Sequence, residues 1–174
     1  IGGTGVVTVN QLLATAALLD GKEAHGLDQT GLAQKGGPVV SNLKIRRPDS
    51  ELVLGEANKI ATGEADAYIV FDLLSGTNPV NLEKAMPGRT VALVSSSKVP
   101  TAAMVRDTTA EYPEWSALQS TIDSATVPEK NIYYDAGNLS DNLFRSHMPA
   151  NIIVLGSAYQ SGVVPISASA IERA

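Results

Sequence analysis

Ala67-Tyr68-Ile69-Val70-Phe71 and Val91-Ala92-Leu93-Val94 are the two stretches that decide the fold, because both are apolar at every position. A strand with one wet face alternates apolar and polar residues; a strand covered on both faces has no such need. The two runs therefore predict neighbouring, mutually parallel strands at the centre of a sheet with helices on either side. Outward from them the pattern changes. Val39, Ser41, Leu43 and Ile45 alternate with Val40, Asn42, Lys44 and Arg46, which predicts a strand with one solvated face. Ile132-Tyr133-Tyr134 reads as a further strand. Glu23 to Leu27 reads as another, running into a polar loop at Asp28-Gln29-Thr30-Gly31.

Helices fill the gaps between these strands. From Gly5 to Asp20, Val6, Val9, Leu13 and Ala16 recur at helical spacing, and Gly21 stands where a helix of that length would end. Asn78 to Ala85 predicts a short helix stopped by Pro87-Gly88, and Glu114 to Ser124 an amphipathic one through Trp115, Leu118 and Ile122. Pro149 suits the first turn of a helix carrying Ile152, Leu155, Gly156 and Tyr159 on one face, with Gly162 ending it. A last helix starts near Ser167. Strand and helix alternate, so the predicted class is α/β: three α/β/α layers around a mixed, largely parallel sheet with a Rossmann-like glycine turn at the N-terminus.

Composition narrows the chemistry. The chain has 174 residues, 44% hydrophobic and 18% charged, which suits one domain over 1–174. The absence of a leading Met and the helical reading of Ile171 to Ala174 suggest a domain truncated at both ends. A net charge of -5 argues against nucleic acid and anionic bilayers as partners. The best membrane candidate, Val6 to Leu19, is interrupted by Thr8, Asn10, Gln11 and Thr15, so a cytoplasmic protein is expected. There is no cysteine, so this chain alone offers no thiolate for a zinc site or an iron–sulfur cluster. His25 and His147 lack metal-ligand spacing and read as half-exposed side chains. No catalytic residue and no metal site is assigned.

Three constellations could bind a ligand. Gly2-Gly3-Thr4-Gly5 leads straight into a helix, whose free N–H groups and positive dipole end attract phosphate or carboxylate. As a dinucleotide fingerprint it is incomplete; the acid expected about 20 residues onward could be Asp20 or Asp28. A glycine turn needed only for close packing is the plain alternative. Gln34-Lys35-Gly36-Gly37-Pro38 could present N–H groups beside an ammonium, or be an ordinary surface turn. Asp72, Ser95-Ser96-Ser97 and Asp135 follow the predicted strands and so belong at the carboxyl edge of the sheet, where open α/β folds bind ligands. Helix and loop capping is the commoner use of such residues.

The run Gly2-Gly3-Thr4-Gly5-Val6-Val7, then Leu27 through Gly37, then Val99-Pro100-Thr101-Ala102, resembles in order and spacing the γ-type domain of 2-oxoacid:ferredoxin oxidoreductases. Thr30-Gly31-Leu32-Ala33-Gln34-Lys35-Gly36-Gly37, with Gly156 to Gln160 and Ile171 to Ala174, looks most like the fused indolepyruvate type. Ser95 departs from the pattern, since many relatives carry Asn there. The resemblance implies an accessory domain of an enzyme that oxidatively decarboxylates a 2-oxoacid, such as indolepyruvate or another aryl pyruvate, to an acyl-CoA with electrons passed to ferredoxin. It implies thiamine diphosphate and iron–sulfur clusters held by partner domains, with coenzyme A as co-substrate. The expected cofactor-binding residues are Gly2, Gly3, Thr4, Gly5, Gln34, Lys35, Gly36 and Gly37. The isolated chain is expected to be inactive. The competing expectations are a nucleotide-binding oxidoreductase domain and a purely structural docking domain.

Overall fold

The computed structural model describes residues 1–3, 5–30, 38–50, 57–107 and 109–174. Strands β1 (Glu23–Thr30) and β2 (Val39–Arg46) form an antiparallel hairpin in register from Glu23↔Arg46 to Thr30↔Val39. Strands β3 (Ala67–Val70), β4 (Val91–Ser95) and β5 (Ile132–Tyr134) form a parallel sheet in the order β3-β4-β5. The two apolar runs are thus parallel neighbours, as expected. The expectation that both are central holds for β4 alone, which has a strand on each side; β3 is the end strand of this three-stranded sheet and, among the described residues, has just the main chain of Ile1 on its other side.

Ile1 and Gly2 join the two sheets. The Ile1 nitrogen donates to Ile69 O at 2.6 Å and Phe71 N donates to Ile1 O at 2.8 Å, the parallel pattern. Gly2 and Val39 exchange both main-chain bonds, at 3.0 and 2.6 Å, in an antiparallel bridge. The result is a mixed sheet.

Side-chain alternation sorts the sheet residues into two cores. Ile69, Leu93, Ile132 and Tyr134 face one side, against helices α1 (Val6–Leu19), α7 (Ala150–Gln160) and α8 (Ala168–Arg173). Tyr68, Val70, Ala92, Val94 and Tyr133 face the other, where Leu118 and Ile122 of α5 (Trp115–Asp123) cover them. Helices α2 (Leu73–Gly76) and α3 (Pro79–Leu82) follow β3. That is the three-layer arrangement expected from uninterrupted apolar strands. Among the described residues no helix is long and apolar enough to cross a membrane.

The structure corrects some boundaries. β1 continues through Asp28, Gln29 and Thr30, which the sequence assigns to a loop. Those polar residues tolerate a strand because Asp28 accepts from Asn10 Nδ2 at 2.7 Å and from the Ser41 hydroxyl. The helix expected over Asn78 to Ala85 shrinks to α3, with Asn78 Oδ1 capping Val80 N at 3.1 Å. Helices α2, α4 (Ala102–Arg106) and α6 (Ala136–Phe144) are additional. The first and last are nucleated by Asp72 and Asp135, which accept from Leu74 N and Asn138 N.

Two polar braces hold these layers. Asn131 Oδ1 accepts from Ala92 N at 2.8 Å, while its Nδ2 donates to Asp123 Oδ1 and Thr126 Oγ1 at 2.7 and 2.8 Å. It ties β4 to the end of α5. Asp20, after α1, accepts from Ser167 N at 3.1 Å, Ser167 Oγ at 2.5 Å and the Lys22 ammonium, and so anchors the start of α8. The Lys22 and Ser167 bonds hold its carboxyl down at about 2, against an ordinary 3.8.

Removing Asn131 leaves a strand N–H and a carboxylate short of a partner, so Asn131→Ala should cost about 2–4 kcal/mol in urea unfolding. Asp20 has a depressed folded-state pKa, so its contribution is complete above about 4 and disappears as pH falls through about 2. Urea midpoints measured at pH 7, 4 and 2 should show the difference between the native chain and Asp20→Asn shrinking toward zero at the lowest pH.

Candidate functional site

The glycine turn lies against the carboxyl end of β3. A Cβ on Gly2 would come 2.9 Å from Phe71 Cβ and 3.3 Å from Asp72 N, so only glycine fits between the sheet and α1 there. Gly5 caps α1 at φ +87°, in the left-handed region, and a Cβ on it would meet Asn151 Nδ2 at 2.7 Å. Among the described residues no side chain caps the helix. Val9 N is the first to bond back, to Gly5 O at 3.1 Å. Among the described residues nothing accepts from the N–H groups of Val6, Val7 and Thr8, at the helix's positive end. Gly3 has open space around it.

Of the expected binding residues, Gly2, Gly3 and Gly5 are described, while Thr4, Gln34, Lys35, Gly36 and Gly37 lie outside the described residues. The hairpin that contains the second motif is nonetheless tied to the first. Val39, two residues after Gly37, is the residue bridged to Gly2, and Thr30 pairs with Val39 across the hairpin. The flanks of the Lys35 segment and the glycine turn thus share one ladder.

The other carboxyl-edge residues are mostly consumed by structure. Asp72 accepts from Leu74 N at 3.1 Å and Ser75 Oγ at 2.6 Å. Ser97 Oγ donates to Asp135 Oδ1 at 2.6 Å, accepts from Gly137 N at 2.9 Å and lies 2.9 Å from Ser95 Oγ. Asp135 also accepts from Asn138 N at 2.9 Å; that bond first, then the Ser97 hydroxyl, holds its carboxyl below the ordinary value. These are caps and braces, the plain reading of such residues. They keep the edge rigid.

Four residues to which the sequence reading gave no role at the site stand at this edge. The His147 ring lies over Gly137, where a Cβ would collide with it, and its Nδ1 sits 3.3 Å from Asp141 Oδ2. Lys98 Nζ lies 5.6 Å from the centre of the Tyr112 ring. Burial first, then the charge of Asp72, pushes the Tyr112 hydroxyl up, and the ring packs against the core that contains Tyr68, Val70 and Leu73. Asn151 meets the glycine turn from the first turn of α7. None belongs to a recognisable motif; Lys98 follows the end of β4, while Tyr112, His147 and Asn151 reach the edge from segments remote in sequence.

The dinucleotide reading loses its acid. Asp20 sits beyond the far end of a 14-residue helix, about 21 Å from the turn at 1.5 Å per residue. Asp28 is engaged by Asn10 and Ser41. What remains is a glycine turn whose helix N–H groups are engaged by no described residue, an arrangement suited to an anion rather than to a ribose.

The family model for pyruvate ferredoxin/flavodoxin oxidoreductase (POR) matches residues 1–174. The chain belongs to the POR family. It is 23% identical to the indolepyruvate oxidoreductase subunit IorB of Archaeoglobus fulgidus over 174 residues, spanning all of this chain and 80% of that subunit. Its fold is similar to that of the pyruvate oxidoreductase subunit PORC of Thermotoga maritima, with a TM-score of 0.62 at 20% identity, over 99% of this chain and 77% of that one. The POR chain is thus an accessory domain of a 2-oxoacid:ferredoxin oxidoreductase, the family its loop motifs resemble.

In this POR domain Gly5→Ala meets two separate penalties, a left-handed backbone and a collision with Asn151. It should destabilise by about 1–2 kcal/mol from the backbone alone, with the contact adding to that. Pairing it with Asn151→Ala in a denaturation cycle should recover the contact part and leave the backbone part.

Proposed function

We propose that this POR-family chain serves an indolepyruvate-type oxidoreductase, in which an aryl 2-oxoacid is decarboxylated and oxidised to an acyl-CoA while ferredoxin takes the electrons. The reading rests on the full-length family match and on the loop motif that is closest to the indolepyruvate type. Thiamine diphosphate and the iron–sulfur clusters would be carried by partner domains or subunits, because this chain has no cysteine to ligate a cluster. The purified chain alone should therefore not reduce ferredoxin in response to a 2-oxoacid.

The domain's own contribution is an anion-binding corner at the carboxyl edge. Gly2, Gly3, Thr4 and Gly5 would offer main-chain N–H groups, and Gln34, Lys35, Gly36 and Gly37 a cation with further N–H groups, to a phosphate of coenzyme A. The observation that carries this assignment is the Gly2–Val39 bridge, which anchors the flank of the Lys35 segment beside the glycine turn. Docking to the partner is supported by exposed apolar side chains grouped along the chain from α6 into α7: Leu143, Phe144, Met148 and Ile152. This also favours the second reading, in which the domain only docks.

Lys35→Ala separates the two readings. A charge-assisted contact contributes about 1.5–3 kcal/mol, so in the complete enzyme the variant should raise the coenzyme A KM by about tenfold or more with kcat little changed. An unchanged KM with weaker assembly would make the loop a docking element, and no change in either would make it an ordinary surface turn.

A further inference from the structure

The turn from α6 into α7, Phe144-Arg145-Ser146-His147-Met148, combines a fixed main chain with apolar side chains turned out to solvent. Helix α6 buries its small residues, Ala136, Gly137 and Ser140, and leaves Leu143 64% and Phe144 57% exposed. Met148, just before α7, is 90% exposed. Single apolar side chains on a surface are ordinary; several large ones on one turn mark a place that something else covers.

The turn is held at several points. The hydroxyl of buried Ser140 donates to Ser146 O at 2.6 Å, Arg145 N donates to Asp141 O at 3.0 Å and Ala150 N to His147 O at 3.2 Å. The His147 ring lies so close over Gly137 that a Cβ there would come 2.2 Å from its Cε1. Arg145 takes φ 55°, and it is the one residue other than glycine in the left-handed region among the described residues. The position that ends a helix in this conformation is ordinarily glycine's, because a Cβ crowds the carbonyl. Here it carries a long cation. Among the described residues its guanidinium has no ion-pair or hydrogen-bond partner; Asp141, four residues earlier, stands 3.3 Å from His147 Nδ1 instead. Strain kept beneath a side chain that makes no contact within the chain points to a contact outside it.

We propose that this turn is a docking knob for a partner domain of the same enzyme: Phe144 and Met148 enter an apolar recess on the partner, and Arg145 pairs with a carboxylate at its rim. The inference rests on the reading of this chain as a domain that assembles with others into a 2-oxoacid oxidoreductase. Aromatic residues, Met and Arg are the types that concentrate in protein interfaces and carry most of their binding energy. Charge selects the partner. A two-fold contact centred on this turn would bring two unpaired guanidinium groups together, so a second copy of the chain fits poorly, whereas an acidic rim answers the one charge that the turn leaves open. Because His147 lies over Gly137 at the carboxyl edge, a partner seated here borders the edge that carries the glycine turn.

Arg145→Gly separates docking from folding, because the two effects have opposite signs. Relief of the left-handed strain should raise the Tm of the chain by about 2–4 °C, while loss of the guanidinium should weaken assembly with the thiamine- and cluster-bearing part of the enzyme by about tenfold. Phe144→Ala should weaken assembly by a similar factor with Tm little changed, since the ring is exposed. In the complete enzyme, hydrogen peroxide should oxidise Met148 about tenfold more slowly than in the chain by itself. Assembly that survives both substitutions, with Met148 oxidised as fast in the complete enzyme as outside it, overturns the inference and leaves the family reading standing. Failure of the native chain to assemble with that part of the enzyme overturns both. Protection of Met148 that grows with the concentration of the chain alone would make a second copy the occupant and overturn the inference as well.

Discussion

Everything in this domain hangs on two residues of main chain. Ile1 and Gly2 bond β3 with one edge and β2 with the other, and so turn a separate hairpin and a separate parallel sheet into one mixed sheet. The constraint is steric as much as hydrogen-bonded. Gly2 passes between Phe71, Asp72 and Val6 with no room for a Cβ, and Gly5 then takes a left-handed conformation to start α1 under α7. A side chain at either position would push α1 from the sheet it covers.

From this crossing follow both the rigidity of the carboxyl edge and its chemistry. Asp72, Ser97 and Asp135 are spent on caps and braces, which fixes the ends of β3, β4 and β5 and the helices that leave them. Among the described residues, the donors left at the edge include the backbone N–H groups at the start of α1, positive in character and with no carboxylate in the first turn to compete for them. An edge of this kind favours binding and positioning over bond-making. That suits an accessory domain of a 2-oxoacid:ferredoxin oxidoreductase.

The sequence by itself determined the fold class. Ala67 to Phe71 and Val91 to Val94 carry no polar alternation, so they demand cover on both faces, and the pattern of helices between strands supplies it. It also pointed to Gly2–Gly5 as a turn, because glycine is the residue for tight crossings. It was less informative about β1, where Asp28-Gln29-Thr30 looks like a loop until Asn10 and Ser41 are seen to satisfy the carboxylate. Helices α2 and α6 have too few periodic apolar residues to be read in advance; their caps, Asp72 and Asp135, are the signal that was there. Only the tertiary structure decided which acids were free, because Asp20 and Asp28 differ from a ribose-binding acid in where their partners lie and not in identity. It alone brought Asn151, His147 and the Lys98–Tyr112 pair to the edge, since those approaches are set by helix packing over long sequence separations, to which local spacing is blind.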